Sequence, residues 1–249
     1  MRTVIVVLLL VLLAACANAP PRNPLAEWVP SPNFEARRPL IIVLHATEQQ
    51  SARQSLDTLR STDHPRKVSA HYLIGDDGRL YQLVADGDRA WHAGGGRWGT
   101  ITDLNNASIG IEIDNDVGEA YTEAQIAALL RLLDDLTTRL NIPKSQVIGH
   151  ADMAPTRKRD PGSLFPWQRL ANAGFGRWPS GDLVDPPAGF DPWLAMAAVG
   201  YPLQDRAAAV RAFHRHYRGR DDGEDPAATF DAEDLRILHA LSAMVVSPR

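Results

Sequence analysis

The sequence predicts an α/β domain with a central mixed β-sheet flanked by helices, followed by a small region that is only helical. Three observations predict this arrangement. Short apolar runs rich in β-branched residues recur along the chain, apolar residues at helical spacing lie between them, and residues 191–249 show helical patterning alone.

The composition excludes several classes of protein. The chain has 249 residues, of which 45% are hydrophobic and 22% charged, which is typical of a globular protein and not of a disordered or fibrous one. Its 26 Lys and Arg residues against 30 Asp and Glu residues give a net charge of −4, so we expect no nucleic-acid partner. A single Cys excludes a disulfide framework and a Cys-rich zinc cage.

The N-terminus reads as a targeting segment. An unbroken apolar run, Val4–Leu13, follows Arg2 and is too short to span a bilayer, so residues 1–15 are predicted to be a signal peptide. The sequence Leu-Ala-Ala-Cys that ends at Cys16 resembles a bacterial lipobox. That resemblance implies a lipid anchor on Cys16 and, because Ala17 follows, an outer-membrane protein facing the periplasm. The alternative is an ordinary signal peptide with a free Cys.

Proline residues dominate the next segment. Residues 16–34 contain Pro20, Pro21, Pro24, Pro30 and Pro32, which favours an extended tether over a packed element.

The predicted strands then follow in order. A turn signal, Gly75–Gly78, joins two of them as a hairpin. The five runs are Leu40–Leu44, His71–Ile74, Arg79–Val84, Ile109–Ile113 and Val147–Gly149.

Helices are predicted between and after these strands. One covers residues 50–60, and a second begins at Thr122, which forms a capping-box pattern with Gln125, and ends before Pro143. We expect the α/β domain to span residues 35–178 and a connector to span residues 179–190. In the tail, residues 191–249, the predicted helices are Asp205–Tyr217 and Asp231–Val246, and their thin core predicts that they lean on the first domain.

Three polar side chains stand beside these strands or in a loop after them. His45 follows the first strand, His150 follows the last, and Asp160 precedes a Pro-Gly pair ten residues later. Two imidazoles and one carboxylate are a common ligand set for catalytic zinc, with a position left for water. The alternative is that each His is a structural, hydrogen-bonded residue, and the spacing alone leaves both open.

Two further residues are candidates for catalysis. Glu112 lies between apolar neighbours in a predicted strand, where it is either a general base or a side chain that simply points outward. Lys158 lies two residues before Asp160 and could stabilise an oxyanion, although it could equally belong to a solvated basic loop.

Five fragments in order carry a family resemblance: VLHAT (43–47), VSAHYLI (68–74), AWHAG (90–94), IGIE (109–112) and GHAD…RKRDPG (149–162). They resemble zinc-dependent N-acetylmuramoyl-L-alanine amidases, a family that includes phage lysozyme-type amidases and peptidoglycan-recognition proteins. The tail is similar to the small peptidoglycan-binding-like domain of the outer-membrane lipoprotein amidases.

The resemblance implies an amidase with one catalytic Zn²⁺ that acts on peptidoglycan or muropeptides. By position it implies that His45, His150 and Asp160 are metal ligands and that Glu112 and Lys158 are catalytic. It also places Trp91 and His92, which precede three glycines, as candidate substrate contacts. For His71 a structural role is favoured.

Two other functions stay open at this point. One is a peptidoglycan-binding lipoprotein without catalysis, and the other is a zinc peptidase that cuts within the stem peptide. The sequence does not indicate an oligomer, and a monomer is expected.

Overall fold

The computed structural model describes residues 22–37, 39–63, 65, 67–179 and 181–246. The predicted signal peptide, Cys16 and the first part of the predicted tether lie outside the described residues.

A six-stranded mixed sheet forms the centre of the fold, as predicted. Its strands run in the spatial order β1-β5-β4-β7-β3-β8; β4 and β5 pair antiparallel as a hairpin, and the other neighbours pair parallel. Two further strands, β2 and β6, pair antiparallel beside it. The strands are β1 (Glu27–Trp28), β2 (Phe34–Ala36), β3 (Ile41–Ala46), β4 (Tyr72–Ile74), β5 (Leu80–Gln82), β6 (Asp88–Ala90), β7 (Ser108–Ile113) and β8 (Val147–Gly149).

Eight helices accompany the sheet within the described residues. The longest, α3, has the predicted capping box: the Thr122 hydroxyl accepts from the Gln125 amide, and the Gln125 side chain accepts from the Thr122 amide. The helices are α1 (Ala52–Arg60), α2 (Leu104–Ala107), α3 (Glu123–Arg139), α4 (His150–Met153), α5 (Trp167–Asn172), α6 (Pro192–Val199), α7 (Arg206–Arg218) and α8 (Ala232–Val246). None of the helices described is both long and apolar enough to cross a bilayer.

The two faces of the sheet pack against different layers. On β3, Ile42 and Leu44 face a core that includes the apolar side of α3. Ile41 and Val43 face a second core. Because side chains alternate along a strand, His45 lies on the face of Ile41 and Val43.

The tail shares this second core. Met196 of α6, Phe213 of α7 and Leu238 of α8 belong to the same buried cluster as Val43 of the sheet. The prediction that the tail leans on the first domain is therefore confirmed, and the two parts have one continuous apolar interior. Helix α6, the first of the three tail helices, was not predicted from the sequence.

The prediction of a tether over residues 16–34 is wrong for the part that is described. Residues 27–28 form β1, which adds to the edge of the main sheet beside β5. Asn23 is buried, its backbone amide donates to Gln82, and its side-chain amide donates to Asp135 of α3. Prolines are compatible with such a short edge strand because only two residues need to join the ladder.

Candidate metal centre

The sheet brings together residues that are far apart in sequence. In the parallel register of β3 and β7, His45 is the direct partner of Glu112. His45 therefore lies within β3. The sequence had predicted that the strand ends at Leu44, one residue before it. On the other side of β3, strand β8 ends at Gly149, and His150 opens helix α4.

Asp160 returns to these two histidines from the loop after α4. Its backbone carbonyl accepts from the amide of Ala151, 2.8 Å away, so the loop folds back on the helix that carries His150. The predicted convergence of the three residues is what the structure shows.

The three side chains present a compact set of donor atoms. The Nδ1 atoms of His45 and His150 lie 2.9 Å apart, and Oδ2 of Asp160 lies 3.3 Å from the first and 3.0 Å from the second. All three residues are about 98% buried, with 2% of their surface exposed. Among the described residues they form the group whose donor atoms could hold a metal ion.

The charge states of His45 and Asp160 also suit a cation. Burial, together with the neighbouring His150, lowers the pKa of His45 to about 4, so its imidazole is neutral at physiological pH. Burial alone would raise the pKa of Asp160, but the two histidines outweigh it and hold that pKa well below its usual range. Neutral imidazole and ionised carboxylate are the forms that bind a metal.

An unpartnered atom supports the same reading. Oδ1 of Asp160 is buried and has no hydrogen-bond partner. Buried carboxylate oxygens are nearly always satisfied, by protein, water or an ion. Two histidines and one carboxylate fit the donor set of a catalytic zinc site, and the residues present thus fit the implied ion.

Glu112 lies beside this trio in the sheet. The residue is partly exposed, whereas its Oε2 atom is buried and has no hydrogen-bond partner. Burial and the negative charge of Asp160 raise the pKa of Glu112 to about 8, against the opposing charge of Lys158. A carboxyl group with a raised pKa beside a set of metal-ligand candidates is suited to accept and return a proton.

Lys158 comes from the same loop as Asp160. Its backbone amide donates to the carbonyl of Ala154, which ties the loop to the end of α4. The Lys158 charge lowers the pKa of both Glu112 and His45, so the ammonium acts electrostatically on both sides of the site.

The two candidate substrate contacts differ in their surroundings. Trp91 is partly exposed, and the guanidinium of Arg89 lies 4.5 Å from the centre of its ring. His92 is buried, and its Nδ1 lies 3.0 Å from Nε2 of His45. Substrate contact stays a prediction for both, but His92 borders a metal-ligand candidate directly.

His71 has the contacts of a structural residue. Its Nδ1 accepts from the amide of Gly110 on β7, and its Nε2 lies 3.0 Å from the carbonyl of Asp88. It is fully buried and connects the strands near the site.

Hydrogen bonds to Asp152 hold the helix that carries His150, and the sequence did not predict them. Asp152, in the same short helix, accepts from the Gly149 amide through Oδ2 and from the Tyr201 hydroxyl through Oδ1. His216 of α7 contacts the same Oδ2 at 2.8 Å and stacks on Trp167. Two tail residues thus hold the helix that carries His150, a link that only the folded chain reveals.

Comparisons with known proteins indicate one family. The model of the N-acetylmuramoyl-L-alanine amidase family (Amidase_2) matches residues 35–163, which include all five candidate metal and catalytic residues. The chain is 39% identical over 224 residues to N-acetylmuramoyl-L-alanine amidase AmiD of Escherichia coli K12, covering 75% of this chain and 79% of that protein.

Two solved structures extend the similarity to the tail. The E. coli AmiD structure, a complex with anhydro-N-acetylmuramic acid-L-Ala-D-gamma-Glu-L-Lys, superposes with a TM-score of 0.70 at 31% identity and covers 91% of this chain and 92% of that one. AmpDh3 of Pseudomonas aeruginosa superposes with a TM-score of 0.71 at 30% identity and covers 93% and 98%.

Proposed function

The chain belongs to the N-acetylmuramoyl-L-alanine amidase family, and we propose that it works with one zinc ion held by His45, His150 and Asp160. It is an enzyme that hydrolyses the amide bond between the lactyl group of N-acetylmuramic acid and L-alanine. The observation that carries the metal assignment is the convergence of three buried donor atoms within 3.3 Å, beside a carboxylate oxygen without a partner.

The chain's own residues supply the proton transfers. When bound, zinc acts as a Lewis acid on the scissile carbonyl and lowers the pKa of its water toward ~7. Glu112 accepts the proton of the attacking water as the new C–O bond forms. It then delivers that proton to the nitrogen of L-alanine as the C–N bond breaks, so the carboxylate is restored for the next turnover.

Lys158 stabilises charge during this step. The carbonyl oxygen becomes negative in the tetrahedral transition state, and a positive ammonium next to it lowers the energy of that state more than that of the substrate. Its electrostatic effect on Glu112 supports this position.

The substrate proposal follows the same line. The structures of AmiD and AmpDh3 that resemble this chain include complexes with an anhydro-N-acetylmuramic acid tripeptide and an anhydromuramic pentapeptide. We propose that this chain binds muropeptides of that kind, with the partly exposed Trp91 as a candidate contact. The helical tail is proposed to assist contact with peptidoglycan.

Location is proposed from the sequence alone. The lipobox-like sequence that ends at Cys16, followed by Ala17, supports a lipid anchor in the outer membrane, with the protein facing the periplasm.

Product identification tests the function. The purified protein is incubated with anhydro-muropeptide and with whole sacculi, and the products are identified by mass spectrometry. We expect intact stem peptides that begin with L-alanine, and no such release by Glu112→Ala despite retained zinc. Cleavage inside the stem peptide would indicate a peptidase, and binding to sacculi without release would indicate a non-catalytic module.

A further inference from the structure

A chain of hydrogen bonds leads from a backbone carbonyl to the candidate ligand His45. The Ser108 hydroxyl lies within hydrogen-bond distance of the Leu104 carbonyl. Nε2 of His92 lies 3.3 Å from the same hydroxyl oxygen, and Nδ1 of His92 lies 3.0 Å from Nε2 of His45. All members are buried.

The donor and the acceptor of each hydrogen bond in this series can be assigned by starting from the Leu104 carbonyl. A carbonyl oxygen only accepts, so the single hydroxyl proton of Ser108 points to Leu104. The Ser108 oxygen then accepts from Nε2–H of His92, which leaves Nδ1 of the neutral His92 ring as an acceptor. That acceptor requires the proton of His45 to be on Nε2, and the lone pair of His45 Nδ1 therefore points at His150 and Asp160.

We propose that His92 and Ser108 are positioning residues that fix the Nε2–H tautomer and the ring orientation of His45 for metal binding. This rests on the proposed zinc site. It gives His92 a task that does not require contact with substrate. Partners of this kind commonly change metal affinity by about 10- to 100-fold when they are removed.

The His92 ring packs directly against the backbone of Gly110. A Cβ on Gly110 of β7 would come within 2.3 Å of Cγ of His92, so the ring lies directly on a strand position that only glycine leaves free. Strand alternation places Ser108 and Gly110 on the same face of β7, so the Ser108 hydroxyl lies next to the glycine against which the His92 ring packs.

Ala93, the residue after His92, contacts the second candidate histidine ligand, His150. The carbonyl of Ala93 lies 3.0 Å from Nε2 of His150 and also accepts from Arg157, whose guanidinium lies 3.4 Å from that Nε2. Both backbone amides of the His92–Ala93 dipeptide donate to Oδ1 of Asn105, at 3.0 and 2.8 Å. One anchored dipeptide thus contacts the outer nitrogen of both candidate histidine ligands.

The first test measures zinc affinity of the full chain by competition with a chromogenic chelator. His92→Leu removes the acceptor, and we expect zinc to bind about 10- to 100-fold more weakly. His92→Asn places an amide oxygen near the position of Nδ1, and we expect affinity within about threefold of wild type. Ser108→Ala should give an intermediate loss, because His92 remains but its ring is no longer directed.

His71→Asn is the matched control. His71 is as buried as His92 and its ring centre lies 5.6 Å away, but it makes no hydrogen bond to His45. Asparagine keeps an acceptor for the Gly110 amide. We expect this variant to lose stability without losing zinc affinity, which separates a structural effect from a positioning effect.

A second readout needs no variant. Long-range ¹H–¹⁵N correlation spectra of the zinc-loaded protein report which ring nitrogen of each histidine carries the proton. We expect His92 to be protonated at Nε2, with its Nδ1 accepting from Nε2–H of His45. A proton on Nδ1 of His92, or wild-type zinc affinity in His92→Leu, would overturn the proposal. Failure of the wild-type chain to bind zinc would instead overturn the proposed function.

Discussion

Replacing Glu112 with glutamine is expected to stabilise the metal-free protein while it removes most of the activity. In the folded, metal-free state the pKa of Glu112 is raised from 4.5 to about 8, chiefly by burial. Between these two pH values the folded chain holds a proton that the unfolded chain has released, so stability falls as the pH rises through this window. Glutamine has the same shape and does not ionise, so this loss disappears.

The size of the effect follows from the shift. Each pH unit above 4.5 costs the wild type about 1.4 kcal/mol until the pH reaches about 8. That is an upper limit of about 3.5 kcal/mol at pH 7 and about 5 kcal/mol well above pH 8. Because Glu112 is partly exposed, solvent reduces these figures, and a gain of about 2 kcal/mol at pH 7 is expected.

Urea denaturation in the presence of a chelator, at pH 5, 7 and 8.5, measures this gain. The difference between Glu112→Gln and wild type should grow with pH, whereas turnover with zinc should fall by about 10²- to 10⁴-fold. Glu119→Gln removes an equal charge at an exposed position and should change stability by less than about 0.5 kcal/mol at every pH. A stability difference that does not depend on pH would refute the account of Glu112.

Three other variants test the role of Lys158, the contribution of the tail to the core, and the lipid anchor on Cys16. Lys158→Met should bind zinc like wild type in a chelator competition but lower kcat by about 10²- to 10³-fold, and unchanged kcat would exclude its role with the oxyanion. A chain truncated after residue 179 should lose cooperative unfolding in circular dichroism, because the tail completes the core that contains Val43; a truncated chain as stable as the full one would contradict this. Cys16→Ser, expressed with its signal sequence, should move from the membrane fraction to the soluble periplasm, and retention in the membrane would reject the lipid anchor.

The candidate site was largely predictable because its residues border strong strand signals. The apolar runs before His45 and His150 predict two strands. The parallel pairing of β3 with β8 then brings the two side chains together. Asp160 and Lys158 were candidates by residue type and position, but only the family resemblance implied that their loop returns to the histidines, since a loop of that length has no local signal for where it returns.

The missed features are those that a partner far along the chain creates. Strand β1 has two residues, and its pairing is defined by the backbone of β5 and not by its own pattern. Ser108 and Asp152 are ordinary polar residues until the fold places His92 and Tyr201 against them. Helix α6 is different, because Asp191 at its N-cap, Pro192 and Gly200 were visible signals of a helix that the pattern of apolar residues did not reveal.

The most direct test of the central claim is to locate the metal. A crystal of the zinc-loaded protein, measured on both sides of the zinc absorption edge, gives an anomalous map of the ion itself. One peak is expected, about 2.0–2.2 Å from Nδ1 of His45, Nδ1 of His150 and a carboxylate oxygen of Asp160. An active crystal with no peak at these three residues, or with zinc held elsewhere, would contradict the account.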